Sequence, residues 1–156
     1  RSGMPLYAWG ANSSGQLGIG RESEAEWEAE EVVVPMQEGE VVDMMAGGGS
    51  HTLLLTTTGR LLGCGSNTSG QLGLGMEVQT QPTFALLPSL PSEASLVSLA
   101  AGWDFSLLLD SEGGVWAAGS DAWGQLGTSR GHSNPPQPRS SLVRRLRSDN
   151  SKLRRS

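Results

Sequence analysis

The chain has 156 residues, of which 37% are hydrophobic and 17% are charged, and its formal net charge at pH 7 is −5. A chain of this length ordinarily folds as one domain, and the sequence holds no apolar run of about 20 residues, so no helical membrane span is predicted. Cys64 is the single cysteine, which excludes a disulfide within the chain. The composition predicts a reducing setting in the cytoplasm, the nucleus or both.

Seven segments are predicted to be β-strands, because each is a short, mainly apolar run close to glycine, asparagine or serine. In chain order they are Leu6–Trp9, Val41–Ala46, Thr52–Thr56, Leu61–Cys64, Leu96–Ala101, Ser106–Leu109 and Val115–Ala118. The first is interpreted as the last strand of an incomplete unit, and the others as two units of three strands each. The sequence therefore predicts an all-β protein built from antiparallel repeats.

The connection 22–31 differs from the rest because six of its ten residues are glutamates. Like charges four residues apart repel each other on a helix, so this segment is predicted to be a solvated loop or a short, frayed helix. An acidic partner-binding surface around Trp27 is the alternative interpretation.

A tetrapeptide repeat sets the spacing of the strands. Gly-Gln-Leu-Gly occurs three times, with 55 residues from Gly15 to Gly70 and 54 from Gly70 to Gly124. A period near fifty residues that contains short strands is typical of a propeller blade. We expect the glycines to form tight corners, the glutamines to bond to loop backbone and the leucines to fill gaps between blades. This structural repeat comprises Gly15, Gln16, Leu17, Gly18, Gly70, Gln71, Leu72, Gly73, Gly124, Gln125, Leu126 and Gly127.

Two longer patterns carry a family resemblance. Gly-x-Asn-x-x-Gly-Gln-Leu-Gly spans residues 10–18 and recurs at 65–73, and Gly-Gly-x-His-Thr-Leu-Leu-Leu spans residues 48–55. Together they resemble the repeat of the regulator of chromosome condensation family over residues 4–128. The resemblance implies a seven-bladed β-propeller that binds other proteins and, in some members, catalyses nucleotide exchange on a small GTPase.

The repeat region, residues 4–127, is too short for a closed ring of that kind. Seven blades of about fifty residues need about 350 residues, so only about two to three blades are predicted here. An open arc of blades exposes strand edges and an apolar face. The chain is therefore interpreted as a fragment, a truncated isoform or one subunit of an assembled ring.

Residues 128–156 form a second region of opposite charge. Residues 1–127 hold 3 basic and 15 acidic side chains, whereas the tail holds 8 basic and 1 acidic. The tail has few large apolar residues, so disorder is predicted. Its charge fits a localisation signal or a polyanion-binding segment, and nucleic acid is an expected partner only through this tail. Unrelated sequence from an alternative exon is the other interpretation.

No arrangement of residues predicts an enzyme active site. Gly47-Gly48-Gly49 is not followed by the Gly-Lys-Ser/Thr of a phosphate-binding loop, and the two histidines and Cys64 are too scattered for a metal site. His51 aligns with Phe105 of the next repeat, which indicates a packing position, and Cys64 is interpreted as a core thiol. We therefore expect no catalysis, no metal and no cofactor.

Two turns form the candidate partner-binding site. Trp103 and Asp104 occupy the turn before a core strand, and Gly49 and Ser50 are their counterparts one repeat earlier. These positions vary between repeats while their flanks repeat closely, and recognition residues are common on loops that a rigid scaffold supports. A tryptophan beside a charge suits a contact anchor. Packing of Trp103 between blades is the alternative interpretation.

The resemblance also suggests a class of partner. Within the family, residues 102–105 are most similar to an exchange factor that regulates secretion, which implies a protein partner, either a small GTPase or a membrane-traffic component. Two functions remain open: exchange-factor activity of a full-length protein, or a scaffold with no exchange activity.

Overall fold

The computed structural model describes residues 5–90 and 94–127. Within these ranges the chain forms β-strands joined by turns, and no helix occurs among the described residues. The strands are β1 (Leu6–Ala11), β2 (Ala25–Val32), β3 (Val42–Gly47), β4 (His51–Thr56), β5 (Leu61–Ser66), β6 (Thr80–Leu86), β7 (Leu96–Ala101), β8 (Phe105–Asp110) and β9 (Val115–Gly119). The predicted all-β class is confirmed.

The strands form three antiparallel sheets, each of which is a meander in chain order. We call them blade 1 (β1 and β2), blade 2 (β3 to β6) and blade 3 (β7 to β9). Within a blade, each strand pairs with its neighbour in the chain. A shift of register interrupts the pairing of β3 with β4 and, at the equivalent place, of β7 with β8. Blades 2 and 3 therefore share one local geometry, as the sequence repeat predicts.

The acidic connection is a strand, so its prediction as a loop or frayed helix was wrong. The strand β2 pairs antiparallel with β1 at the edge of blade 1. An edge strand leaves one side in solvent, which suits charged side chains, while Val32 at its end is buried in the core. The equivalent segment of blade 2 is β6, also absent from the predicted strands, and it tolerates Pro82 because it too lies at an edge.

The core lies between the blades rather than within one sheet. Neighbouring residues of β4 project from opposite faces, so Leu53 packs toward blade 3 and Leu54 toward blade 1, and both are fully buried. The first cluster joins blade 2 to blade 3 and contains Leu53, Leu61, Leu72, Leu87, Leu108 and Trp116. The second joins blade 1 to blade 2 and contains Val32, Leu54, Leu62, Cys64 and Phe84. Each blade thus depends on its neighbour for burial.

Glycines of the first repeat allow a loop of blade 1 to approach blade 2. Gly15 and Gly18 both have a φ of 73°, in the left-handed region that favours glycine. A Cβ at Gly15 would lie 2.6 Å from the Cα of Pro82, and one at Gly18 would lie 2.6 Å from the Phe84 ring. A side chain is therefore excluded at both positions, because the backbone has a positive φ and because a Cβ would clash with blade 2.

Some sequence predictions fall outside this description. The proposed disorder and polyanion binding of residues 128–156 concern residues that lie outside the described ranges. In the described part of the chain, no helix is long and apolar enough to cross a membrane. The same part contains no group of three or more histidine, cysteine, aspartate or glutamate side chains placed to hold a metal ion.

Candidate protein-binding turns

The glutamine of each Gly-Gln-Leu-Gly closes its own loop. Its side-chain oxygen accepts a hydrogen bond from the backbone N–H two residues earlier, at 2.9 Å for Gln16, 2.9 Å for Gln71 and 2.8 Å for Gln125. In the same loops the leucine N–H donates to a side-chain oxygen five residues earlier, which belongs to Asn12, Asn67 or Asp121. Three loops therefore share one internal bonding scheme.

A hydroxyl links each of the first two loops to the next blade. The Thr52 hydroxyl on β4 donates to the backbone oxygen of Gln16 at 2.8 Å, and the Ser106 hydroxyl on β8 donates to that of Gln71 at 2.8 Å. The sequence predictions missed this contact. The available signal was a hydroxyl residue at both positions, 54 residues apart.

His51 extends the second of these links. Its Nε2 lies 2.9 Å from the Ser106 Oγ. Because the Ser106 hydroxyl already gives its one hydrogen to the Gln71 oxygen, His51 Nε2 carries a proton and donates it. Burial lowers the pKa of His51 to about 4, although the Asp104 carboxylate acts in the opposite direction. His51 is therefore a neutral, fully buried side chain at the junction of blades 2 and 3.

The structure brings two of the predicted site residues into direct contact. The N–H of Gly49 donates to the backbone oxygens of Gly102 and Trp103, both at 3.2 Å. A Cβ at Gly49 would lie 2.7 Å from the Trp103 oxygen and 2.9 Å from its ring, so only glycine fits. The turn before β4 and the turn before β8 therefore form one surface.

Ser50 and Asp104 occupy matching places in these turns. The backbone oxygen of Ser50 accepts a hydrogen bond from the N–H of Ser66 at 2.7 Å, and the backbone oxygen of Asp104 accepts one from the N–H of Ser120 at 3.0 Å. Both residues are half-buried. Their backbones are thus fixed to the end of β5 in blade 2 and to the residue after β9 in blade 3.

Trp103 projects into solvent from this surface. Its side chain is 79% exposed, so it is not packed between blades 2 and 3. Asp104 lies next to it and interacts electrostatically with His51. The surface presents a large aromatic ring on a backbone that hydrogen bonds hold on both sides.

Cys64 is buried, as the sequence predicted, and plays no part in this surface. Burial raises the pKa of its thiol to about 12, against a smaller opposing effect of the Thr52 hydroxyl. Its Sγ lies 3.3 Å from the backbone oxygen of Gln16, to which the thiol donates.

The chain is similar to several proteins of known type. It is 38% identical to the mouse secretion-regulating guanine nucleotide exchange factor over 132 residues, which cover 81% of this chain and 26% of that protein. It is 35% identical to human Protein RCC2 over 122 residues, which cover 78% of this chain and 22% of that protein. The chain thus spans about a quarter of the length of these relatives.

Solved structures share the fold. Human WBSCR16 aligns with a TM-score of 0.78 at 21% identity, over 94% of this chain and 42% of that one. Prp20p from Saccharomyces cerevisiae, which binds Gsp1p and histones, aligns with a TM-score of 0.78 at 20% identity, over 94% of this chain and 35% of that one. The described blades are therefore part of a β-propeller.

The repeats also match family models directly. The model of the regulator of chromosome condensation (RCC1) repeat matches residues 5–55 and 58–109, and a second model of that repeat matches residues 42–71 and 96–125. These matches cover the Gly-Gln-Leu-Gly loops at 15–18 and 70–73 and the turns that carry Gly49 and Trp103. The chain belongs to the regulator of chromosome condensation repeat family.

Proposed function

We propose that this chain is a protein-interaction segment of a guanine nucleotide exchange factor-like propeller that acts on or near a small GTPase. The observation that carries the proposal is the exposed Trp103 on a turn that two backbone hydrogen bonds tie to Gly49. Aromatic side chains are prominent among the residues that contribute most to protein–protein affinity. A fixed backbone lowers the entropy cost of presenting the ring to a partner.

The class of partner rests on the relatives. A secretion-regulating guanine nucleotide exchange factor is among the proteins that the chain resembles, which supports a small GTPase or a membrane-traffic component as the partner of a longer protein. Prp20p binds Gsp1p and histones, which supports protein recognition by this fold. We place the activity in the cytoplasm or the nucleus.

A scaffold with no exchange activity is the second candidate function. The observation in its favour is that the chain spans about a quarter of its exchange-factor relative, and the three described blades form an open arc. We therefore propose that the 156-residue chain contacts a partner without accelerating nucleotide release, and that it is not itself an enzyme.

Binding is tested with the 156-residue chain immobilised on a biosensor and a panel of purified small GTPases in solution. We expect one or more to bind, and Trp103→Ala to weaken binding by about 30-fold, which corresponds to about 2 kcal/mol. Asp104→Ala tests the adjacent charge. Trp27→Ala is the matched control, because Trp27 is 92% exposed but lies on β2 of blade 1.

The variants show which surface binds the GTPase, and a release assay then shows whether binding leads to nucleotide exchange. Full-strength binding by Trp103→Ala and by Asp104→Ala, with the fold intact, would remove these turns from consideration. Loss of binding in Trp27→Ala alone would move the site to the acidic strand β2. Release of a fluorescent GDP analogue from the bound GTPases then separates exchange from scaffolding, and we expect release at the intrinsic rate.

A further inference from the structure

We propose that His51 is a positioning residue for the candidate site: its hydrogen bond to Ser106 locks the Trp103 turn of blade 3 to the Gly49 turn of blade 2. This inference rests on the proposed function for its biological meaning, because it concerns the same two turns. It adds a buried residue, remote from solvent, that sets the orientation of the exposed ring.

The hydrogen bonds form a continuous chain from blade 2 to blade 3. Ser106, on β8, bonds at once to the side chain of His51 on β4 and to the backbone of Gln71 in the loop after β5. Ser106 lies three residues after Trp103, on the strand that the Trp103 turn enters. The start of β8 is therefore fixed to two separate segments of blade 2.

Steric contacts bring the His51 ring against the same turns. A Cβ at Gly48 would lie 2.5 Å from His51 Nδ1 and 2.5 Å from the oxygen of Gly102. The ring, the Gly48 backbone and the Gly102 carbonyl are thus packed together. That carbonyl also accepts a hydrogen bond from the Gly49 N–H. A change in the position of the His51 ring is therefore expected to disturb the Gly49–Gly102 hydrogen bond, which holds the Trp103 turn.

The next repeat shows which part of this arrangement is special to His51. In blade 3 the equivalent ring is Phe105, and a Cβ at Gly102 would lie 2.0 Å from it. A ring over a glycine is therefore common to both blades. A phenylalanine has no polar atom to donate, so the bond to the adjacent blade depends on the ring nitrogen that His51 supplies.

The test follows the Trp103 ring directly, without any partner. The 156-residue chain is labelled with 5-fluorotryptophan, and the Trp103 resonance in the ¹⁹F spectrum is assigned with Trp103→Phe. We expect His51→Phe, which keeps a ring over Gly48, to shift and broaden that resonance. Ser106→Ala is expected to do the same, and the double variant is expected to add nothing, because both residues belong to one chain of bonds.

Thr52→Val is the matched control. It removes the equivalent hydroxyl, which bonds toward blade 1 rather than blade 3, so it is expected to lower stability but leave the Trp103 resonance in place. A variant that loses its cooperative melt is replaced by His51→Leu, which also lacks a donor. An unchanged Trp103 resonance in folded His51→Phe or His51→Leu overturns the proposal, as does an equal shift in Thr52→Val.

The outcome is distinguishable from failure of the proposed function. If the Trp103 resonance shifts in His51→Phe but no small GTPase binds the wild-type chain, the positioning role of His51 is supported and the proposed class of partner is disproved. If a GTPase binds and Trp103→Ala abolishes that binding, but the Trp103 resonance is unchanged in His51→Phe, only the positioning role is disproved. If both hold, His51→Phe is expected to weaken GTPase binding by about 10-fold or less, a smaller loss than that for Trp103→Ala.

Discussion

Glu40 illustrates how a single carboxylate joins two turns. One of its oxygens accepts a hydrogen bond from the Thr58 hydroxyl, and the other accepts from the N–H of Gln37 at 2.8 Å and from Arg60 Nη1 at 2.6 Å. Burial raises the pKa of Glu40, but hydrogen bonds from Thr56, Thr58, Gln37 and Arg60 outweigh that effect and lower the pKa to about 2. The charged form is thus the one that the fold selects.

The Glu40 charge is expected to make stability depend on pH. Its pKa in the folded chain lies below the value of 4.5 for the free side chain, so its contribution is complete above about pH 4.5 and is lost as the pH falls toward 2. Glu40→Gln should therefore lower the urea midpoint at pH 7, and the difference from wild type should shrink below pH 4.5. Glu38→Gln, at an exposed neighbour, is the control, and an equal effect of both substitutions would contradict this explanation.

Cys64 is expected to be chemically inert in the folded chain. A thiol whose pKa is about 12 has little thiolate at pH 8, and the side chain is fully buried. Ellman's reagent should therefore react with Cys64 only at the rate of unfolding, and at the rate of a free thiol in urea. Rapid reaction under native conditions would show that blades 1 and 2 open locally.

At the scale of the strands, sequence patterns were informative where both faces of a strand are buried. The run Leu53–Leu55 is apolar on both sides because β4 packs against two blades, and such a run is easily recognised as a strand. The strands β2 and β6 gave no such signal, because one carries alternating glutamates and the other contains Pro82. Their pairing depends on the strand beside them, which a local pattern does not reveal.

The candidate site was predictable to a similar, limited degree. The variation between Gly49 and Trp103 across the repeat indicated a surface turn, and Trp103 is exposed. The hydrogen bonds from Gly49 to the Trp103 turn join backbone atoms, so they cannot be predicted from the residue types at these positions. For Ser106 the repeated hydroxyl at residues 52 and 106 was a signal, but its acceptor is the carbonyl of Gln71, and every residue has a carbonyl.

The outer strand β6 is expected to contribute strongly to stability despite its edge position. Phe84 is buried in the cluster that joins blades 1 and 2, so Phe84→Ala should cost about 3–5 kcal/mol in free energy of unfolding. Leu86→Ala is the control on the same strand, where the side chain is 57% exposed and the expected change is within about 0.5 kcal/mol. Urea denaturation followed by circular dichroism measures both. Equal losses would mean that β6 acts through its backbone pairing alone.

At the scale of the whole molecule, the first blade presents a face that the second blade buries. Tyr7 and Trp9 on β1 are 49% and 65% exposed, whereas Leu62 and Cys64, their counterparts 55 residues later, have no exposure. The counterparts are covered by blade 1, and among the described residues no blade covers β1 in the same way. The strand also has β2 as its one partner within those ranges. An aromatic face and an open strand edge thus coincide at one end of the arc.

We therefore expect the 156-residue chain to self-associate through β1 when it is isolated, because exposed strand edges and apolar faces favour pairing with another chain. Light scattering coupled to size exclusion should report species larger than a monomer, in increasing amount at higher protein concentration. Trp9→Lys places a charge on the exposed face of β1 and should shift the population toward monomer, whereas Trp103→Lys, on the turn of blade 3, should not. A compact wild-type monomer with a cooperative melt at all concentrations would contradict the prediction, and would mean that the inter-blade clusters suffice to stabilise an open arc.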